Sequence, residues 1–123
     1  MSAGNLDLSI EQGATFRRQL TIKDSNDDPV DLTGRTFRGK IKDKIQGTEA
    51  VAFTFTLANQ ITEPGVVTMS LTATQTAAIS VPKGTDVSRT SKQYIYDVEM
   101  VYGSGDVDRV LQGKVTVSAE VTT

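Results

Sequence analysis

The chain has 123 residues, 13 Lys and Arg against 15 Asp and Glu for a formal charge of −2, and a hydrophobic fraction of 37% with no Trp. That length suits one domain with its own core, and the mild acidity argues against non-specific nucleic-acid binding, which needs a clearly basic surface. Histidine and cysteine are both absent, which removes the usual general base, the soft metal ligands, the strongest nucleophile and any disulfide.

The whole of 1–123 reads as a single domain, with residues 1–5 as a flexible N-terminal arm. No basic segment followed by an apolar one opens the chain, so no secretory signal is read there and synthesis in the cytoplasm is expected. Leu6, Leu8 and Ile10 alternate with Asp7, Ser9 and Glu11, the period-2 mark of a half-buried strand. After a break at Gln12-Gly13, Phe16, Leu20 and Ile22 share a face opposite Arg17, Gln19 and Thr21. The run Asp24-Ser25-Asn26-Asp27-Asp28-Pro29 is a turn, because Asx side chains bond their own backbone and Pro presets φ. A short extended link, Val30-Asp31-Leu32-Thr33-Gly34, ends in a second turn.

Phe37 and Ile41 then alternate with Arg38, Lys40 and Lys42, and Gly39 between them signals a bulge or a close backbone approach. Residues 44–49 read as loop. Val51, Phe53, Phe55 and Leu57 form the cleanest apolar stripe, and its stretch 50–59, the longest with almost no charge, is too short and Thr-rich to span a bilayer. Glu63-Pro64-Gly65 turns the chain into a strand carrying Val67, Met69 and Leu71. Thr72 with Gln75 three residues on makes a capping box, followed by Ala77 and Ala78, so a helix of about two turns is expected over 72–80, stopped by Pro82 and Gly84. Residues 83–92 read as the most mobile loop. Tyr94, Tyr96, Val98, Met100 and Tyr102 line one face of the next strand. A hairpin loop, Gly103-Ser104-Gly105-Asp106, returns it through Val107 to Leu111, with a kink expected at Gly113 before Val115 and Val117. Seven or eight such strands with one short helix predict an all-β protein, an antiparallel β-sandwich.

Each candidate for chemistry has a plainer explanation beside it. Asp24, Asn26 and Asp28 match the first three ligand positions of a calcium loop, but Pro29 and Arg35 stand where Gly and Glu are required, so a turn is the better reading and no metal is assigned. Arg38, Lys40, Lys42 and Lys44 recur at every second position with Arg35 near the start, a row that could meet an acidic partner surface or nucleic acid. The plainer reading is a solvated face or an edge strand guarded by Lys. Asp97 and Glu99 share a strand face like a glycosidase pair, but without Trp platforms a cross-strand ion pair with Arg109 is simpler. The Tyr row is core and rim whose phenols need polar partners. No Ser-x-x-Lys or Gly-x-Ser-x-Gly string occurs. The residues therefore point to a module that binds and does not catalyse, with no cofactor and no small-molecule ligand expected.

Five strings carry a family resemblance. Ile10-Glu11-Gln12-Gly13-Ala14-Thr15-Phe16 leads through an acidic turn into Pro29-Val30-Asp31-Leu32-Thr33-Gly34 and the strand Thr36-Phe37-Arg38-Gly39-Lys40-Ile41. Later, Tyr94-Ile95-Tyr96-Asp97-Val98-Glu99 and a Gly-rich turn precede Arg109-Val110-Leu111-Gln112-Gly113-Lys114-Val115. Together they resemble tailed-phage virion proteins, in particular the N-terminal domain of upper-baseplate proteins, with Asp27-Asp28 standing where that pattern often has Gly. The resemblance implies an immunoglobulin-like sandwich within the virion. Its implied role is that of an adaptor of the tail, baseplate or fibre attachment, contacting other phage structural proteins in a multi-copy symmetric assembly. Arg35, Arg38, Lys40, Lys42 and Lys44, with the arm 1–5, are the expected contacts. A capsid decoration, cement or neck protein is the alternative within that class, and a host-surface carbohydrate-binding module the alternative outside it.

Overall fold

The computed structural model describes residues 4–82, 84–85 and 90–121, and it is an all-β sandwich with one short helix. The larger sheet runs from an edge shared by β1 (Gly4–Asn5) and β2 (Leu8–Glu11) through β9 (Val107–Ser118), β8 (Ser91–Val101) and β4 (Thr36–Lys42) to β5 (Glu49–Ala52). The smaller sheet orders β3 (Phe16–Thr21), β7 (Val66–Leu71) and β6 (Thr54–Leu57).

Alternation explains the core. Val67, Met69 and Leu71 of β7 face Tyr94, Tyr96, Val98 and Met100 of β8, and Ile10, Ile41, Val115 and Val117 complete the buried layer. Side chains of this size each contribute about 1.5–3 kcal/mol when fully buried. Between β7 and β8 the chain forms α1 (Ala73–Ala77), which turns Thr76 into the interior.

Five details depart from the sequence reading. The larger sheet is mixed, not antiparallel throughout, because β1 and β2 both run parallel to β9. That pairing also holds Gly4 and Asn5, the last two residues of the expected arm, against Leu111 and Gln112; residues 1–3 lie outside the described residues. The helix keeps its capping box at Thr72 but stops at Ala77, short of 80, since Ile79 turns into the core and the Gln12 amide binds the Ile79 carbonyl at 2.8 Å. The stripe from Val51 to Leu57 is two strands: β5 pairs with β4, β6 pairs with β7, and Phe53 stays buried while the chain changes sheets. Gly113 does not break β9; its missing Cβ leaves room for the Leu6 carbonyl.

Gly39 is a close approach, as expected, with no bulge at that residue. A Cβ there would lie 2.8 Å from the Asp97 carbonyl and 3.2 Å from the Phe55 ring. Of the loop expected over 83–92, residues 83 and 86–89 lie outside the described residues, whereas Ser91 and Lys92 already belong to β8.

Buried polar groups are matched. The Thr76 side chain, fully buried, donates to the Ala14 carbonyl at 2.8 Å and accepts from the Gly13 N–H at 3.0 Å, pinning α1 to the β2–β3 turn. Each tyrosine hydroxyl has the partner its position demands: Tyr94 donates to the Ser80 carbonyl, Tyr96 to the Leu6 carbonyl and Tyr102 to Asp108. Burial, and next the nearby Asp7 carboxylate, push the Tyr96 phenol up to about 12, with Arg18 opposing. The bond to Asp108 raises Tyr102.

Candidate interaction face on the larger sheet

Strand alternation that turns Phe37, Gly39 and Ile41 inward must turn Arg38, Lys40 and Lys42 outward. The strand ends at Lys42, and a tight turn carries the pattern on: the Thr48 N–H donates to Asp43 at 2.8 Å and the Gly47 N–H to the Lys44 carbonyl at 2.8 Å. Lys44 and Ile45 are thereby held beside the strand residues, and Ile45 is 82% exposed. β4 is interior to its sheet, between β8 and β5, so the lysine row is not an edge-strand guard.

The register sets what lies beside this row. Arg38 faces Glu99 and Lys40 faces Asp97 across β8, and Lys42, Ile95 and Lys114 are neighbours across β4, β8 and β9. Asp97 and Glu99 are each tied to a cation rather than set toward a common cleft. Arg38 meets Glu99 at 2.7 Å, Arg109 meets Asp97 at 3.4 Å, and Lys40 meets Glu49 at 3.1 Å. Lys42, Lys44 and Lys114 make no ion pair among the described residues. An open concavity of about 790 Å³ runs over this surface, lined by Arg38, Lys40, Lys42, Lys44, Ile95 and Asp97 among others. Six cations and four carboxylates, Asp43 of the turn among them, share the face, so it is locally basic on an acidic chain.

Arg35 stands apart from the other four residues of the row. It precedes β4, its guanidinium lies 4.6 Å from the centre of the Tyr102 ring, and it contacts the Met100 sulfur at 3.7 Å. Its stem and charge serve the hairpin end of the sandwich. The acidic turn is likewise committed to the backbone: Asp24 accepts the Asn26 and Asp28 N–H groups at 2.9 and 3.0 Å, and Lys23 meets Asp27 at 3.6 Å.

Ile95 and Lys114 are the members of the face that sequence reasoning missed. Each sits on the non-core face of a strand whose sequence signal came from its buried face, and only the cross-strand register brings them to Lys42. The opposite end carries a second exposed apolar residue, Ile61 (92% exposed), in a loop laced by Gln60. That side chain accepts from the Leu32 and Gly65 N–H groups at 3.1 and 2.9 Å and donates to the Ala58 carbonyl at 2.9 Å. Compared with models of known protein families and with curated proteins, the chain matches none.

Proposed function

We propose that this chain is a non-catalytic structural module of a tailed-phage virion, an immunoglobulin-like adaptor that works by protein–protein contact in a multi-copy tail, baseplate or fibre-attachment assembly. The observation that carries the contact reading is the outer face of the larger sheet, where half-buried Lys42 and exposed Lys44 and Ile45 line an open concavity with Ile95, and Lys114 stands beside them. Exposed charge on a rigid sheet gives a partner a fixed pattern to match, and charge complementarity steers encounter and sets register. The carboxylates that resemble a catalytic pair are spent on Arg38 and Arg109, which fits a binding face better than an acid–base site.

The strings that carry the resemblance are structural parts of the sandwich. Leu32, at the centre of Pro29-Val30-Asp31-Leu32-Thr33-Gly34, is fully buried, and Asp31 accepts from the Thr33 N–H and hydroxyl at 2.9 and 2.7 Å. The two later strings form β8 and β9, the central pair of the larger sheet.

The test is cross-linking with mass spectrometry on purified phage particles that carry the gene. The expected result is a fixed copy number of this chain per particle, with Lys40, Lys42 or Lys44 linked to a neighbouring subunit, and weakened assembly when the gene is deleted. Its absence from the particles, or turnover of a substrate by the purified chain, overturns the proposal.

A further inference from the structure

The outer face of the larger sheet and the loop end that carries Ile61 are complementary, and within one molecule they cannot meet. The loop end is acidic: Asp24, Asp27, Asp28, Asp31 and Glu63, all exposed, lie on the turns linked to the Ile61 loop, with Lys23 paired to Asp27. Bonds from Gln60 to Leu32 and Gly65, and from the Ile22 N–H to the Gly65 carbonyl at 2.7 Å, hold these turns together as one rigid tip. The tip lies by the start of β4, whereas Lys42, Lys44 and Ile45 lie at and beyond its end. Seven strand residues at about 3.3 Å each put roughly 20 Å between them.

We infer that the occupant of the basic face is the acidic, Ile61-bearing tip of a second copy of this chain, so that copies join head to tail. Charge favours this arrangement over the alternatives within one species. With six cations and four carboxylates the face is net positive and two copies of it repel each other; the remaining sequence holds seven cations and eleven carboxylates, and five of those carboxylates sit at the tip beside one lysine, Lys23. An exposed isoleucine on a braced loop supplies an apolar anchor, and Ile45 and Ile95 supply apolar surface beside the lysines to receive it. Joining two different patches is a heterologous contact, which closes into a ring or extends as a filament. The inference rests on the proposed role of the face as a contact surface and adds the identity of what sits on it.

Sedimentation velocity on the purified chain tests it. At about 0.01 M salt, where charges act over about 30 Å, the mean mass rises with concentration; at about 1 M, where the range is about 3 Å, it returns toward the monomer. Two variants at outward-facing positions, of which only Lys42 is half-buried, separate the partners: Lys42→Gln with Lys44→Gln on the face, and Asp28→Asn with Ile61→Ser and Glu63→Gln on the tip. Each alone weakens association at least about tenfold, with circular dichroism and melting unchanged. Mixed, they form a one-to-one dimer that grows no further, since only one intact face and one intact tip remain. Overturning results are a wild-type chain that stays monomeric at about 1 mM in low salt, variants that associate as well as wild type, or a mixture that fails to pair. If the chain is monomeric yet its lysines cross-link to a different virion protein, the contact face stands and the self-pairing falls.

Discussion

Replacing Gly113 with Ala should unfasten the N-terminal edge of the larger sheet. The new Cβ would lie on the Leu6 carbonyl oxygen, 2.8 Å from its carbon and 3.1 Å from the Asp7 carboxylate, so the segment joining β1 to β2 must retreat. Two bonds meet at Leu6: its N–H donates to the Gln112 carbonyl at 2.9 Å, and its carbonyl accepts from the Tyr96 hydroxyl at 2.5 Å. Their loss costs about 1 kcal/mol each, and stranding the buried phenol costs about 1–3 kcal/mol more. Relief of glycine's entropy penalty returns only about 0.5–1 kcal/mol. The expected destabilisation is therefore about 2–4 kcal/mol, or a fall in Tm of about 7–15 °C for a domain of this size. Urea and thermal unfolding measure it. Gly4→Ala is the control, because its Cβ would rest at an ordinary 3.7 Å from Leu111, and it should change stability by less than about 0.5 kcal/mol. A Gly113→Ala protein melting within about 2 °C of wild type would refute the close-approach reasoning.

Thr76→Val keeps the shape but strands the Gly13 N–H and the Ala14 carbonyl; it should lower stability by about 2–3 kcal/mol in urea titrations, and hydrogen exchange should speed up in the β2–β3 turn. Gln60→Ala removes the group that accepts from Leu32 and Gly65, so a loss of about 1–3 kcal/mol and faster proteolysis at residues 59–64 are expected. For Tyr96, raised from 10.0 to about 12 chiefly by burial, the folded state favours the neutral phenol. Its contribution is thus complete below about pH 10 and disappears as pH rises from there through about 12. Phenolate absorbance during alkaline titration checks this, with Tyr96→Phe deleting the highest step; a Tyr96 that ionises near pH 10 in the folded protein would contradict it.

Period-2 alternation was enough to read β7, β8 and β9, because each buries one face against the opposite sheet and exposes the other. It could not show where the stripe from Val51 to Leu57 changes partners, since an inward-facing Phe53 satisfies the same pattern in one strand or two. Parallel entry of β1 and β2 beside β9 was also hidden, because alternation fixes the face of a strand and not its direction. Gly113 read as a kink for a related reason: the backbone that occupies its space comes from Leu6, a contact distant in sequence. The capping box did locate the start of α1, a local signal with a local partner, while its end depended on the burial of Ile79. At the candidate site the row Arg38, Lys40 and Lys42 was visible as spacing, but its ion pairs and the neighbours Ile95 and Lys114 follow from cross-strand register alone.

Stability and the proposed contact draw on different residues of this sandwich. The fastenings that lock its ends are inward or backbone-directed: Thr76 on the β2–β3 turn, Gln60 across three turns, and Tyr96 on Leu6. The outer face of the larger sheet instead carries ion pairs whose cations are more than half exposed: Arg38, Lys40 and Arg109 at 60%, 55% and 55%. Such pairs contribute about 0–1 kcal/mol. A surface that adds so little to folding can be rewritten to suit a partner without unfolding its scaffold. The tip around Ile61 joins the two properties, because Gln60 stabilises the fold and at the same time holds an exposed isoleucine at a fixed height. Loosening that side chain should therefore weaken contact as well as folding, whereas neutralising Lys42 or Lys44 should weaken contact alone.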